Sequence, residues 1–350
     1  MQVITAQNGV SSVLLFALFS LLCSCATGSA LVAAMSRTPG LRGLAPFFHR
    51  SVLGVMVFTG AAALALALLV EEPWRLLVYN AISPNLLSNL WWLTTLSGIM
   101  AGCMFLEFAA MHQNGGESRF WIGFIGAVAA MGANNNLAAL LSQSMDPPLW
   151  HGVQPLVLFL ASSLLAGFAA LLIFSWAAGC AVEGRREREF RQAVDVTQTV
   201  MLFLLLVLAM IYGVRFFAVW GNGADPGFRP AKLLLTGKLS LRFWLVEVAA
   251  GILLPAVLLL LNKKARPGRA ALAGCLVLCG LMFQRYDMLL AGWSVPKLGE
   301  WQGQAMSLLP GGEDLLLSLL VLAFLGGGLW VGDRYCRFER PSSHPLRKPF

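Results

Sequence analysis

Residues 156–175 read LVLFLASSLLAGFAALLIFS, a stretch without a single charged side chain inside the apolar run 155–181. A transmembrane α-helix needs about 20 such residues. The apolar residues are continuous rather than alternating, which favours a helix over a strand. Eight further runs have near-bilayer length: 11–35, 51–70, 87–111, 120–143, 196–219, 243–262, 270–291 and 314–333. The sequence therefore predicts an all-α, polytopic membrane protein with about nine transmembrane helices.

The composition agrees with this fold class. Of the 350 residues, 58% are hydrophobic and 12% are charged, whereas soluble proteins average about 25% charged residues. These values exclude an ordinary soluble domain, a disordered chain and a nucleic-acid-binding module. The net charge of +8 comes from basic residues between the apolar runs, where they face anionic lipid and set orientation.

The basic residues also predict the orientation. Seventeen of the 25 Lys and Arg residues fall in loops on one side of the membrane, and eight fall on the other. The side richer in Lys and Arg is normally cytoplasmic. We therefore expect a multi-pass protein of a bacterial or archaeal inner membrane, with its N-terminus outside and its C-terminus inside.

Two runs resemble each other. Residues 14–36, LLFALFSLLCSCATGSALVAAMS, share with 156–175 a Ser-rich middle followed by a small residue and Gly. A parallel repeat would give a four-helix bundle in 1–150, a second in 151–292, and an outer loop, ninth helix and cytoplasmic tail in 293–350. The alternative is that all membrane helices use small residues for close packing.

Polar side chains accumulate at the outer end of the first bundle. Asn8 precedes span 1, Glu71 and Glu72 follow span 2, Trp92 opens span 3, and Asn134 and Asn135 lie within span 4. Carboxamide donors, a carboxylate and flat aromatic walls would suit a quinone, which needs hydrogen bonds to its carbonyl oxygens and a proton-exchanging group. The alternative is an interfacial Trp belt with hydrated Asn residues.

Charged residues inside other spans form two further candidates. Glu107 lies near the cytoplasmic end of span 3 and could serve a proton path. Arg215, Arg242, Glu247, Arg285 and Asp287 could meet on the outer side of the second bundle. A proton or ion pathway and a self-neutralising packing network are both compatible with such buried charges.

Haem and iron–sulfur clusters are not expected in this chain, and neither is another metal site. None of the four His residues falls in the middle of a span, so paired axial ligands for haem are missing. The seven Cys residues lack the spacing that a cluster requires.

Several stretches resemble one family in order and spacing. They are VEEPWRLLVYNAISPNLLSNLWW (70–92), FLEFAAM (105–111), PPLWHGVQPLVLFLASSLLAGFAALLIF (147–174), FWLVEVAAGILLPAVLLLL (243–261), FQRYDMLLAGW (283–293) and LPGGEDLLLSLLVL (309–322). They resemble the NrfD-like membrane subunits of polysulfide-reductase-type complexes, most closely the HybB-type subunit of nickel–iron hydrogenases.

The resemblance implies a haem-free and cluster-free quinone protein with a ferredoxin-like iron–sulfur partner on its outer face. It also implies a site for menaquinone or ubiquinone in the first bundle. The polar position of span 4 falls at residues 133–137, where the hydrogenase type has His-Gln-Ser-Ser-Leu and this chain has Ala-Asn-Asn-Asn-Leu. Without that His, the complex could contain a hydrogenase, a sulfur-compound reductase or a multihaem cytochrome.

The sequence thus predicts a quinone-binding subunit of a respiratory oxidoreductase complex. The expected proton-exchanging residues are Glu72 and Glu107. The expected quinone-binding residues are Asn134, Asn135, Asn8, Glu71 and Trp92. The alternative is an ion- or proton-coupled transporter, or a proton-translocating module, without redox chemistry of its own.

Overall fold

The computed structural model describes residues 13–70, 72–113, 120–144, 153–177, 185–221, 229–293 and 311–335. Within these ranges, nine helices are long and apolar enough to cross a membrane. Spans 1 to 9 are Val13–Met35, Phe48–Leu69, Asn89–Gln113, Phe120–Ser144, Val153–Ala177, Arg185–Gly221, Ser240–Leu260, Pro267–Trp293 and Gly312–Tyr335. The chain is an all-α, multi-pass membrane protein, as its apolar runs predict.

Successive spans run in opposite directions through the membrane. We call the side on which span 1 begins the N-side and the side on which it ends the C-side. Asp314, in the first turn of span 9, accepts a hydrogen bond from the backbone N–H of Leu14 at 3.2 Å. A carboxylate at the start of a helix satisfies a backbone donor that has no partner inside the helix. The last span therefore anchors the N-side end of the first.

Three short helices lie in connections whose helical content the sequence did not predict. A 3₁₀-helix, Pro39–Phe47, joins spans 1 and 2. The helix Pro73–Ile82 follows span 2 on the N-side, and the helix Arg229–Leu235 precedes span 7 on the same side. The N-terminal proline of Pro73–Ile82 fits its place, because the first helical position needs no N–H donor.

Spans 1 and 5 form the centre of the molecule. Span 1 packs against spans 2, 4, 5, 8 and 9, and it crosses span 5 at Gly28 and Gly167. A Cβ atom added to Gly28 would lie 2.0 Å from the carbonyl oxygen of Ser163, and one added to Gly167 would lie 2.3 Å from the backbone of Gly28. Only glycine permits this crossing. The predicted boundary between the bundles, residues 150 and 151, lies outside the described residues.

Span 7 is not a regular α-helix. Its residues Phe243–Leu253 form a π-helix, closed by a bond from the N–H of Leu254 to the carbonyl of Ala249. Pro255 follows at once, and it has no N–H to bond to Gly251 as an α-helix would require. Gly251 also packs on Gly280 of span 8, where an added Cβ would lie 2.7 Å from the Gly280 Cα atom. The widened helix places Glu247 in the interior.

Candidate functional site

Asn134 is the buried polar residue of span 4. Asn134 is 3% exposed. The hydroxyl of Ser163 in span 5 donates to the Oδ1 atom of Asn134 at 2.6 Å. Because the amide oxygen accepts this bond, it faces Ser163, and the Nδ2 group is the donor end of the amide. The sequence did not single out Ser163, although it lies in the Ser-rich middle of the repeat-like segment.

The three consecutive Asn residues point in different directions, as helix geometry requires. Asn135 lies on the exposed outer surface of span 4. The side chain of Asn136 donates to the carbonyl of Gly132 at 2.8 Å within its own helix. Of the three, Asn134 alone is buried between helices, so the structure separates Asn134 from Asn135.

The N-side rim holds two further predicted residues. Glu72 is exposed and forms an ion pair with Arg75 one turn later in the short helix Pro73–Ile82. Trp92 is partly buried, and its indole N–H donates to the carbonyl of Leu86 at 3.0 Å. Neither residue makes a described contact with Asn134. Asn8 and Glu71, also predicted for this site, lie outside the described residues.

Glu107 lies at the C-side end of span 3 and forms an ion pair with Arg37. Arg37, just after span 1, donates to both carboxylate oxygens at 2.9 and 2.8 Å. Glu107 is fully buried, and the Arg37 guanidinium lies 4.1 Å from the centroid of the Phe48 ring. Added side-chain volume at Gly123 would press on both partners, 3.1 Å from Arg37 and 3.3 Å from Glu107. The sequence did not predict Arg37 as the partner, although both residues lie at the C-side ends of odd-numbered spans.

The structure brings the five charged residues predicted to meet in the second half, spans 5 to 8, into one region. Arg242 forms an ion pair with Asp287, and the carboxyl groups of Asp287 and Glu247 are close enough to interact. The Tyr212 hydroxyl donates to Glu247 at 3.2 Å, and Arg215 lies near both. Spans 6, 7 and 8 therefore share a buried polar cluster.

Arg285 lies at the edge of that cluster, within electrostatic reach of Tyr212 and Arg215. It is 1% exposed, and its Nη2 group donates to Ser162 at 2.6 Å and to Ser24 at 3.4 Å. Its guanidinium lies 3.5 Å from the centroid of the Phe159 ring. Its Nε and Nη1 groups have no hydrogen-bond partner, and no carboxylate among the described residues forms an ion pair with it.

The first half of the molecule, spans 1 to 4, contains some of the groups that a quinone site needs. Asn134 supplies an oriented hydrogen-bond donor inside the helix bundle, while Glu72 can exchange protons with solvent only at the rim. Among the described residues, no group of three His, Cys, Asp or Glu side chains could hold a metal ion.

Comparison with known families decides the broader assignment. The family model described as "Polysulphide reductase, NrfD" matches residues 3–297, most of the chain. The chain belongs to the NrfD family. A comparison with curated proteins found no match.

Membership in the NrfD family makes the chain a membrane subunit of a redox complex of the polysulfide-reductase type. NrfD-family membrane subunits partner with iron–sulfur oxidoreductase subunits. The family resemblance drawn from the sequence is thereby confirmed, whereas closeness to the HybB type stays a prediction.

Proposed function

We propose that this NrfD-family chain is the quinone-reactive membrane subunit of a respiratory oxidoreductase complex. It exchanges electrons between menaquinone or ubiquinone in the membrane and an iron–sulfur partner on the N-side. The supporting observation is the buried Asn134 carboxamide, whose oxygen accepts a hydrogen bond from Ser163. In this proposal the chain carries no haem or cluster, and the partner supplies or removes the electrons.

Each residue of the proposed quinone site has a separate role. Asn134 donates to a quinone carbonyl, and Ser163 keeps the amide in the donating orientation. Trp92 supplies an aromatic wall at the rim, and Glu72 exchanges protons between the rim and solvent. Asn8 and Glu71 are further quinone-binding residues in this proposal.

The N-side is the outer side in this proposal, so the connection between spans 6 and 7 faces the partner. Lys232 and Lys238 are exposed there, next to the partly buried residues 233–235. Mixed charged and apolar residues suit a protein contact. Reversing both charges (K232E with K238E) should reduce the amount of iron–sulfur partner retained through purification. Unchanged retention would contradict this docking surface.

Binding of a soluble quinone tests the proposal directly. The full chain in lipid nanodiscs should bind 1,4-naphthoquinone. The variant N134L should bind it several-fold more weakly, because it loses a hydrogen bond worth about 0.5–1.5 kcal/mol. N135L is the matched control, since Asn135 faces outward. Equal binding by both variants, or no binding by the unmodified chain, would contradict the assignment.

A second candidate is a proton-translocating module in the second half. The buried Glu247 in the π-helical segment of span 7, beside Asp287 of span 8, favours it. Ionisable groups inside membranes often belong to proton relays, and π-segments are frequent at functional sites. In proteoliposomes containing the intact complex, E247Q would then abolish proton uptake coupled to quinone turnover while turnover continued.

A further inference from the structure

Arg285 presents an unusual electrostatic situation. It is the largest fully buried side chain of the described chain, and its hydrogen-bond partners are the neutral hydroxyls of Ser24 and Ser162. The Phe159 ring supplies a cation–π contact. A positive charge buried without an anion is costly, and a charge inside a membrane is a sign of function.

The position of Arg285 links it to the candidate quinone site. Ser162, which accepts from Arg285, is followed directly by Ser163, which donates to Asn134. The two hydrogen bonds of 2.6 Å and the two short serine side chains add to the spacing of about 3.8 Å between consecutive Cα atoms, so the guanidinium and the Asn134 amide are separated by a distance on the order of 10 Å. Ser24, Ser162 and Asn134 come from spans 1, 5 and 4, so the charge of span 8 lies where these helices meet.

We propose that Arg285 supplies the positive charge for the quinone site at Asn134. This inference rests on the proposed function. Quinone reduction consumes two electrons, from the iron–sulfur partner, and two protons, from water on the N-side, to give quinol. Electron arrival places negative charge on the quinone oxygens before protons neutralise it. The buried guanidinium stabilises that charge, which the neutral amide of Asn134 does less strongly.

The size of the effect follows from Coulomb's law. A unit charge at a separation on the order of 10 Å, with an effective dielectric constant of about 20, changes the affinity for an anion by about tenfold. A neutral ligand of the same shape experiences almost none of this effect. The comparison of an anionic with a neutral quinone therefore isolates the charge of Arg285 from its packing.

The experiment measures binding of two naphthoquinones to the full chain in nanodiscs. At neutral pH, 2-hydroxy-1,4-naphthoquinone is an anion and 1,4-naphthoquinone is neutral. R285Q should weaken binding of the anion about tenfold and binding of the neutral quinone less than twofold. R285K, which keeps the charge, should restore most of the affinity for the anion. R269Q removes an exposed charge from the C-side end of the same helix and should change neither affinity.

The outcomes separate this inference from the proposed function. If R285Q weakens both ligands equally or neither, Arg285 has only a packing role and this inference alone is wrong. If R285Q does not fold, binding of the two naphthoquinones to R285K and to the unmodified chain still tests the inference. Loss of the preference for the anion in R285K, or no preference for the anion in the unmodified chain, would overturn it. If N134L has no effect on either ligand, the proposed function itself is wrong.

Discussion

The ion pair between Arg37 and Glu107 makes a prediction at the scale of single residues. Breaking a buried ion pair by removing one partner typically costs about 3–5 kcal/mol. E107Q should therefore lower the thermal stability of the purified chain markedly. R75Q breaks the exposed pair with Glu72 and should change stability by less than about 1 kcal/mol. Thermal unfolding in detergent measures both.

The same variant tests the proton-path role of Glu107. If Glu107 holds helices together, E107Q complexes that remain folded should keep their quinone turnover. A stable E107Q complex that has lost turnover would contradict the structural role and favour proton transfer through this carboxylate.

Single-residue positions were predictable from the sequence only in part. Helix periodicity requires at least one of Asn134, Asn135 and Asn136 to face the interior, but it does not say which. The choice depends on how span 4 rotates against spans 1 and 5. The outer ends of spans 6 to 8 predict that Arg285 lies near the charged cluster, but they do not predict its hydrogen bonds to Ser24 and Ser162.

The crossing of spans 1 and 5 makes a prediction at the scale of elements. An Ala side chain at Gly28 or Gly167 would overlap the backbone of the other helix, so G28A and G167A should each destabilise the chain by about 1–3 kcal/mol or more. Gly102 in span 3 has open space around its Cα atom. G102A should be neutral or stabilising, because Ala is the better helix former by about 1 kcal/mol. Thermal unfolding of the three variants, compared side by side, measures the difference. Equal stability of all three would contradict the close crossing.

The long elements follow from the sequence because each contains an apolar run of bilayer length. The π-helix Phe243–Leu253 could not be predicted in this way. Its register depends on Pro255 together with the contact between Gly251 and Gly280, and the second of these arises only after spans 7 and 8 pack. The helix Pro73–Ile82 has ten residues, too few to cross a membrane, so no apolar run of bilayer length predicts it.

The orientation of the whole molecule makes a separate prediction. The side richer in Lys and Arg should be cytoplasmic. Reporter domains fused after Arg191 and after Lys264 should both report a cytoplasmic location. A periplasmic signal at both sites would reverse the orientation and would move the iron–sulfur partner to the other face.

At the scale of the whole molecule, the sequence was sufficient for the fold class and the family. Continuous apolar runs exclude other architectures, and the order of six motifs led to the NrfD family. The packing of spans 1 to 4 against spans 5 to 8 was harder to predict from the sequence. The similarity of spans 1 and 5 marked the two helices that meet at Gly28 and Gly167, but their direct contact depends on glycine packing that no single helix reveals.

The central claim is that quinone reacts in the first half of the molecule, and quinone turnover by the intact complex tests it most directly. N134L and E72Q should reduce turnover several-fold in complexes that still assemble, because one removes a hydrogen-bond donor and the other a proton-exchanging group. E247Q and D287N should act mainly on assembly. If E247Q and D287N abolish turnover in an intact complex while N134L and E72Q leave it unchanged, the quinone site lies in the second half and the account is wrong.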